Sequence, residues 1–267
     1  MVCVNMKSSE WLQNVPEQPG PDRDKIFLQA IYDGNVVVDW STITIQYKDY
    51  KAELRVSSDA LKIGEPGDSI RICVSATLQQ QIADWFECIL PTPKISDIIW
   101  QESAIRLMPH PQIPDAKMGY TSRMVKHSNA IDTELIAKKF VQGDLVSTVG
   151  KDWVLVKKLL VQNSLAANYG WHFSGSNFQG IKGESTVSIP GGRLIQGVGT
   201  AHNILHEDYS QICRLVFRRC TINGEQHELS DILSNPELAP LISHEGPLGF
   251  CRLPGVPKIE FTESNIA

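Results

Sequence analysis

The sequence lacks several patterns that would have named a function at once. No apolar run is long enough to cross a bilayer, and Met1 to Trp11 shows no basic segment followed by an apolar one, so the chain as given is expected to be cytoplasmic with no membrane partner. Cys3, Cys73, Cys88, Cys213, Cys220 and Cys251 form no CxxC pair, which argues against a zinc ribbon or a dithiol redox centre. There is no GxGxxG, no Walker sequence and no Gly-x-Ser-x-Gly elbow, so neither dinucleotide binding nor an α/β-hydrolase nucleophile is indicated. Basic residues are also few: 25 Lys and Arg stand against 30 Asp and Glu, a formal charge of -5. The short basic clusters, such as Lys157-Lys158 and Arg218-Arg219, lack a ladder of interleaved aromatics, which argues against a general nucleic-acid binder.

What is present is the composition of a folded globular chain, with 42% hydrophobic and 21% charged residues over 267 positions, enough for a sizeable core. Gln13 to Asp24 carries Pro16, Pro19, Gly20 and Pro21 and reads as an N-terminal arm over residues 1–21, before a single domain at 22–267. The first helix is expected from Asp22, with Ile26, Phe27, Ala30 and Ile31 inward. Alternating β-branched residues between Val36 and Val74 then suggest a small β-rich subdomain at 36–74, with turns at Lys48 to Lys51 and Glu65 to Asp68. Ser75 or Thr77 caps a helix through Glu87, and Thr92-Pro93 starts another to about Ser103. A longer helix is expected from Tyr120 to Lys139, with Met124, Ile131 and Leu135 buried. Strands return at Asp144–Val149, Trp153–Val156, Arg193–Val198 and Cys213–Ile222. Asn223-Gly224 marks a hairpin between Leu215 and Leu229, with a helix through Ile212–Arg219 as the competing reading. These elements define an α+β fold with a mixed or mainly antiparallel sheet and several packed helices.

The chemistry-bearing residues fall between His127 and Arg214. Ala201 to Ser210 packs His202, His206, Glu207, Asp208, Tyr209 and Ser210 into one block. On a helix His202 and His206 would share a face and a metal, but Asn203 stands where a zinc protease has its glutamate, so a metal is not favoured and no cofactor is expected. Asn168 to Phe173 forms a second block, in which strand alternation puts Tyr169, Trp171 and Phe173 on one side and Gly170 and His172 on the other. The bland reading of its rings is core packing. Lys151-Asp152 opens a third block, either as an exposed turn pair or with Lys151 holding an anionic oxygen. His127, on the long helix, would pass as a solvated surface histidine.

The pieces Leu90-Pro91-Thr92-Pro93-Lys94, Lys151-Asp152-Trp153-Val154-Leu155, Tyr169-Gly170-Trp171-His172, Ile195-Gln196, His202 with Asp208-Tyr209-Ser210, and Arg214-Leu215 resemble an uncharacterised bacterial family over about Val56 to Pro254. The resemblance implies no established activity. It does mark His127, His172 and His202, whereas His206 falls where the family has tyrosine and Gln211 where it tends to have histidine. Members of the family are often exported and joined to wall- or carbohydrate-binding modules, which this chain does not show.

Two functions fit. One is a hydrolase or lyase acting on a cell-wall or polysaccharide-type substrate, with His172 or His202 as acid or base, Tyr209 as proton donor, Asp208 orienting, and Lys151 or Arg214 stabilising an anion. Ser210 and Cys88 are its candidate nucleophiles, and His127, Tyr169, Trp171, Gln196, Ser210 and Arg214 its candidate substrate contacts. The other is a non-catalytic carbohydrate- or peptide-binding module whose platform is Tyr169, Trp171 and Tyr209. Both imply a small-molecule, glycan or peptide ligand.

Overall fold

The computed structural model describes residues 6–175 and 186–258. Its elements are helices packed on mainly antiparallel sheets, the α+β class expected from the sequence. Two strand pairs are parallel, Gln211–Ile212 with Lys151–Val154 and Ile105–Arg106 with Val146–Ser147. Among the described residues no helix is long and apolar enough to cross a membrane.

Local chemistry sets most boundaries. Pro21 takes the first position of the Pro21–Tyr32 helix, where its missing N–H costs nothing, one residue before the expected start. Ser75 caps Ala76–Trp85 by accepting the Leu78 N–H at 3.1 Å, and Thr92 caps Pro93–Glu102 by accepting from Ile95 at 3.2 Å. The hairpin Trp40–Tyr47/Tyr50–Ser57 closes with Tyr47 opposite Tyr50. Asn223 and Gly224, with φ of 50° and 89°, make the two-residue turn between Val216–Ile222 and Glu225–Glu228. That stretch is a hairpin and not a helix.

Two regions make contacts that local signals do not reveal. The arm is structured: Ser8–Trp11 is a helical turn whose Trp11 ring lies 5.2 Å from Phe27, and Ser8 donates to Asp68 at 2.6 Å. Nor does 36–74 pair only with itself. Tyr50–Ser57 is bonded along Val216–Ile222, 160-odd positions later in the chain, and a short strand, Cys88–Ile89, adds to the same sheet. The hydrophobic pattern could show that these were strands but not which partner they would find.

Arg71 ties the β-rich region to the long Thr121–Ala137 helix. Fully buried, it donates to Asp59 through Nε at 2.9 Å and Nη2 at 2.6 Å, to Asp132 at 2.6 Å and to Ser128 at 3.4 Å. The guanidinium holds the Asp59 carboxyl far below its usual range against the opposing pull of burial. Removing one partner of a buried pair strands the other charge, a loss of roughly 3–5 kcal/mol. Asp59→Ala is therefore expected to lower the unfolding free energy by that amount, read as a lower denaturant midpoint with an unchanged slope, whereas a loss below about 1 kcal/mol would show that Asp132 alone holds Arg71.

Candidate functional site

The sheet that carries the site runs Val187–Ile189, Gly192–Asn203, Leu165–Phe173, Lys151–Val154, Gln211–Ile212. Residues opposite one another in register share a face. Lys151 pairs with Gly170 and with Gln211, Trp153 with Asn168, Asn168 with Gly199, and Ala166 with His202. Lys151, Asn168, His202 and Gln211 therefore lie on one face. The other face presents Asp152 and Tyr169, which meet the Pro93–Glu102 helix: Ser96 donates to Asp152 at 2.6 Å and the Tyr169 hydroxyl to Asp97 at 2.8 Å.

Strict alternation would put Trp171 with Tyr169 and His172 with Gly170. The structure reverses this. Gly170 has φ of 136° and Trp171 φ of 56°, two left-handed residues in succession, and they exchange the faces of everything after them. Trp171 turns to the Lys151 face, where the Lys151 ammonium sits 4.9 Å from its ring centroid, His127 6.3 Å and Tyr209 6.4 Å away. His172 turns to the helix face, stacks on Trp100 at 5.6 Å and reaches Asp97 through Nε2 at 2.8 Å. Thr148, a β-branched residue at φ of 67°, supports the kink by donating to the His172 carbonyl at 2.7 Å.

The predicted residues thus divide into two clusters. On the helix face, Asp97 accepts from Tyr169, His172 and His244, each at 2.8 Å, which keeps its carboxyl low, at about 2, against desolvation. Asp97 and His244 were missed from the sequence, because the aspartate sits inside an amphipathic helix and the histidine in a proline-rich tail. On the other face Lys151, Trp171, His127, His202, Asp208 and Tyr209 come together. His127 is not a solvated histidine: it is 2% exposed, edge-on to Tyr209 at 5.2 Å, and burial pushes its imidazole down to about 3. The Tyr209 hydroxyl accepts the Gln112 N–H at 2.6 Å.

His202 is the last residue but one of its strand and His206 follows the turn at Ile204-Leu205, so the pair does not lie on a helix. Their rings stack 3.8 Å apart at 11°, which sets their ring-plane lone pairs in parallel planes instead of at one point, and no three metal-ligating side chains group among the described residues. Burial lowers both imidazoles below the usual histidine range, Lys151 acts in the same direction and Asp208 opposes it. Asp208 accepts from the Ser210 N–H at 2.8 Å and hydroxyl at 2.6 Å. That bond leaves Ser210, fully buried, pointing at a carboxylate and not at a histidine. Burial raises Cys88 to about 12, so its thiol is not a nucleophile at neutral pH. Arg214, buried, donates through Nη1 to the Ser57 carbonyl at 2.7 Å and through Nη2 to that of Val146 at 3.0 Å, while its Nε has no partner among the described residues. Gln196 stays near the site: a Cβ at Gly199 would stand 2.7 Å from its Nε2 and 2.8 Å from Asn168 Oδ1.

Asn168 Nδ2, Trp171 Nε1, His127 Nε2, His206 Nε2 and both amide atoms of Gln211 are buried with no hydrogen-bond partner among the described residues. Each such atom costs about 1–3 kcal/mol, and folded proteins gather them where a ligand or water completes the bonding. The rings of the expected binding platform are buried, Tyr169 at 7%, Trp171 at 3% and Tyr209 at 2% exposed. Compared with models of known protein families, with curated proteins and with solved structures, the chain matches none, which is consistent with its resemblance to an uncharacterised family. The class that fold and site define is an α+β protein with a histidine- and lysine-bearing sheet face.

Two consequences follow. Gly170→Ala forces a side chain into a backbone region L-residues rarely adopt, at a cost of roughly 1–3 kcal/mol, and is expected to shift the Trp171 indole resonance. An unchanged midpoint and spectrum would mean that the strand does not need the kink.

The second concerns Glu207, which sits between two site residues and pairs with buried Arg23 beside Asp24. Burial raises Glu207 to about 7, with Asp24 adding to the rise and Arg23 opposing it. A raised acid contributes stability that is complete below its unfolded value and fades as pH climbs through the folded one, here from 4.5 to about 7. His127 acts oppositely, losing stability as pH falls from 6.5 towards about 3. The difference between wild type and Glu207→Gln cancels the histidine, and it should change by at most roughly 3 kcal/mol across pH 4.5–7, wild type losing ground as pH rises. A flat difference curve would place the titration elsewhere.

Proposed function

We propose that the chain is an acid–base enzyme, a hydrolase or lyase acting on a cell-wall or polysaccharide-type substrate at the Lys151 face of its sheet. The observation that carries this reading is one ammonium set among three imidazoles that burial keeps neutral: His127, His202 and His206 all feel Lys151, and each is pushed towards the base form. A neutral imidazole accepts a proton at pH 7, and an adjacent cation steadies the negative oxygen that proton removal or water attack creates. His202, half-buried, is the base with access from solvent. His127 and Tyr209, in edge contact behind Trp171, form a second proton-handling pair.

Arg214 has no part in this scheme, because it is buried and both its Nη groups donate to backbone carbonyls. Lys151 alone is assigned the anion-stabilising role. With Ser210 bonded to Asp208 and Cys88 held as a thiol, no side-chain nucleophile is invoked, so the reaction is base-activated attack by water or base-initiated elimination.

The test is turnover of a panel of wall glycans and polysaccharides, read as new reducing ends for hydrolysis and as ultraviolet absorbance of an unsaturated product for elimination. Lys151→Met and His202→Ala are expected to lower the rate by roughly 10²–10⁴-fold while the unfolding midpoint holds. The acid limb of the rate profile should lie below the ordinary histidine range, following the lowered His202. Rates unaffected by either substitution would sink the assignment.

A further inference from the structure

The unpartnered groups on the Lys151 face are unequal in kind. Lys151 and the Trp171 indole can only donate hydrogen bonds, and the Asn168 and Gln211 amide nitrogens are donors as well. Against these four donors, Gln211 Oε1 is the one orphaned atom of these same residues that is solely an acceptor. The imidazole nitrogens of His127 and His206 take either role with their tautomer. Lys151 forms no ion pair among the described residues; its ammonium lies over the Trp171 ring at 4.9 Å. Asp208 directs one carboxylate oxygen at Ser210 and sits on the histidine side of the site. Asn168, Trp171 and Gln211 are each more than nine-tenths buried. Their backbones are in register on adjacent strands, with Gln211 beside Lys151, Lys151 beside Gly170, and Asn168 two residues before Gly170.

A group that satisfies four donors and one positive charge is an anion with several acceptor oxygens. From this we infer that Lys151, Trp171, Asn168 and Gln211 form a subsite for a substrate carboxylate, so that the polysaccharide or wall polymer taken is an acidic one, carrying uronate or carboxyl-bearing sugars. A neutral hydroxyl would bring one donor for each acceptor and leave the ammonium unbalanced. A carboxylate brings only acceptors and a charge. Held there it lies against the base cluster, with the Lys151 ammonium balancing its charge. The inference rests on the acid–base reading for its polymer class but on hydrogen-bond matching for the carboxylate.

The experiment is titration of the full chain with D-glucuronate, acetate, inorganic phosphate and D-glucose, following the indole N–H resonances, with Trp171 assigned by Trp171→Phe. Saturable movement of the Trp171 signal with glucuronate and acetate, little with glucose, and at least tenfold weaker binding in Lys151→Met is the expected result. Lys151→Arg, which keeps the charge, should retain binding, and Gln211→Leu should weaken it, so one variant that fails to fold does not end the test. Glucose binding as well as glucuronate, no carboxylate binding, or phosphate binding more tightly than either carboxylate would overturn the inference. Carboxylate binding without turnover of any acidic polymer would leave the subsite standing and remove the enzyme reading. Turnover of neutral glycans without carboxylate preference would do the reverse.

Discussion

The arrangement of both clusters depends on one backbone constraint, the pair of left-handed residues at Gly170 and Trp171 in the middle of a buried strand. A strand has a period of two, and without a break Tyr169 and His172 would point to opposite faces. With the break, both reach Asp97, and Trp171 crosses to lie beneath the Lys151 ammonium. A non-glycine residue in this region is costly, so the conformation persists only because its surroundings over-determine it. Here they are the Thr148 bond to the His172 carbonyl, the stacking of His172 on Trp100, and the ring contacts of Trp171. The strain and the unpaired donors occur together, which is the usual company of a functional site.

The two faces of the sheet differ in how their polar groups are resolved. On the helix face both oxygens of Asp97 are engaged and its ionised form is held by three donors, so that carboxylate is saturated. On the other face the polar groups are incomplete among the described residues: an ammonium in no ion pair, neutral imidazoles, orphaned amides and an indole N–H. Saturation stabilises and incompleteness invites a ligand. His172 and His202 lie on opposite faces, so a single scheme using both as direct acid and base has no geometric basis. His202 pairs across from Ala166, at the far end of the strand that carries His172.

Much of the fold was legible from local chemistry. Ser75, Thr92-Pro93 and Asn223-Gly224 act within a few residues of themselves, so their caps and turns appear where the sequence puts them. Periodicity likewise located the long helix with Met124, Ile131 and Leu135 inward. Burial of a polar side chain was not legible, because it depends on what other elements bring. His127 looked like a surface histidine in Lys126-His127-Ser128-Asn129 until Trp171 and Tyr209 closed over it. Arg214 looked like an anion ligand until its carbonyl partners at Ser57 and Val146 were in place.

By itself the sequence determined the element types, the α+β class and the set of side chains from which a site would be drawn, since these follow from short-range propensities and residue chemistry. Only the tertiary structure decided which of those side chains meet. It joined Tyr50–Ser57 to Val216–Ile222, separated His172 from His202, brought in Asp97 and His244, and set Lys151 among three neutral imidazoles. The physical reason is that strand register and a single reversal of strand parity are fixed by long-range pairing and buried contacts, and neither leaves a local signature in the residues it moves.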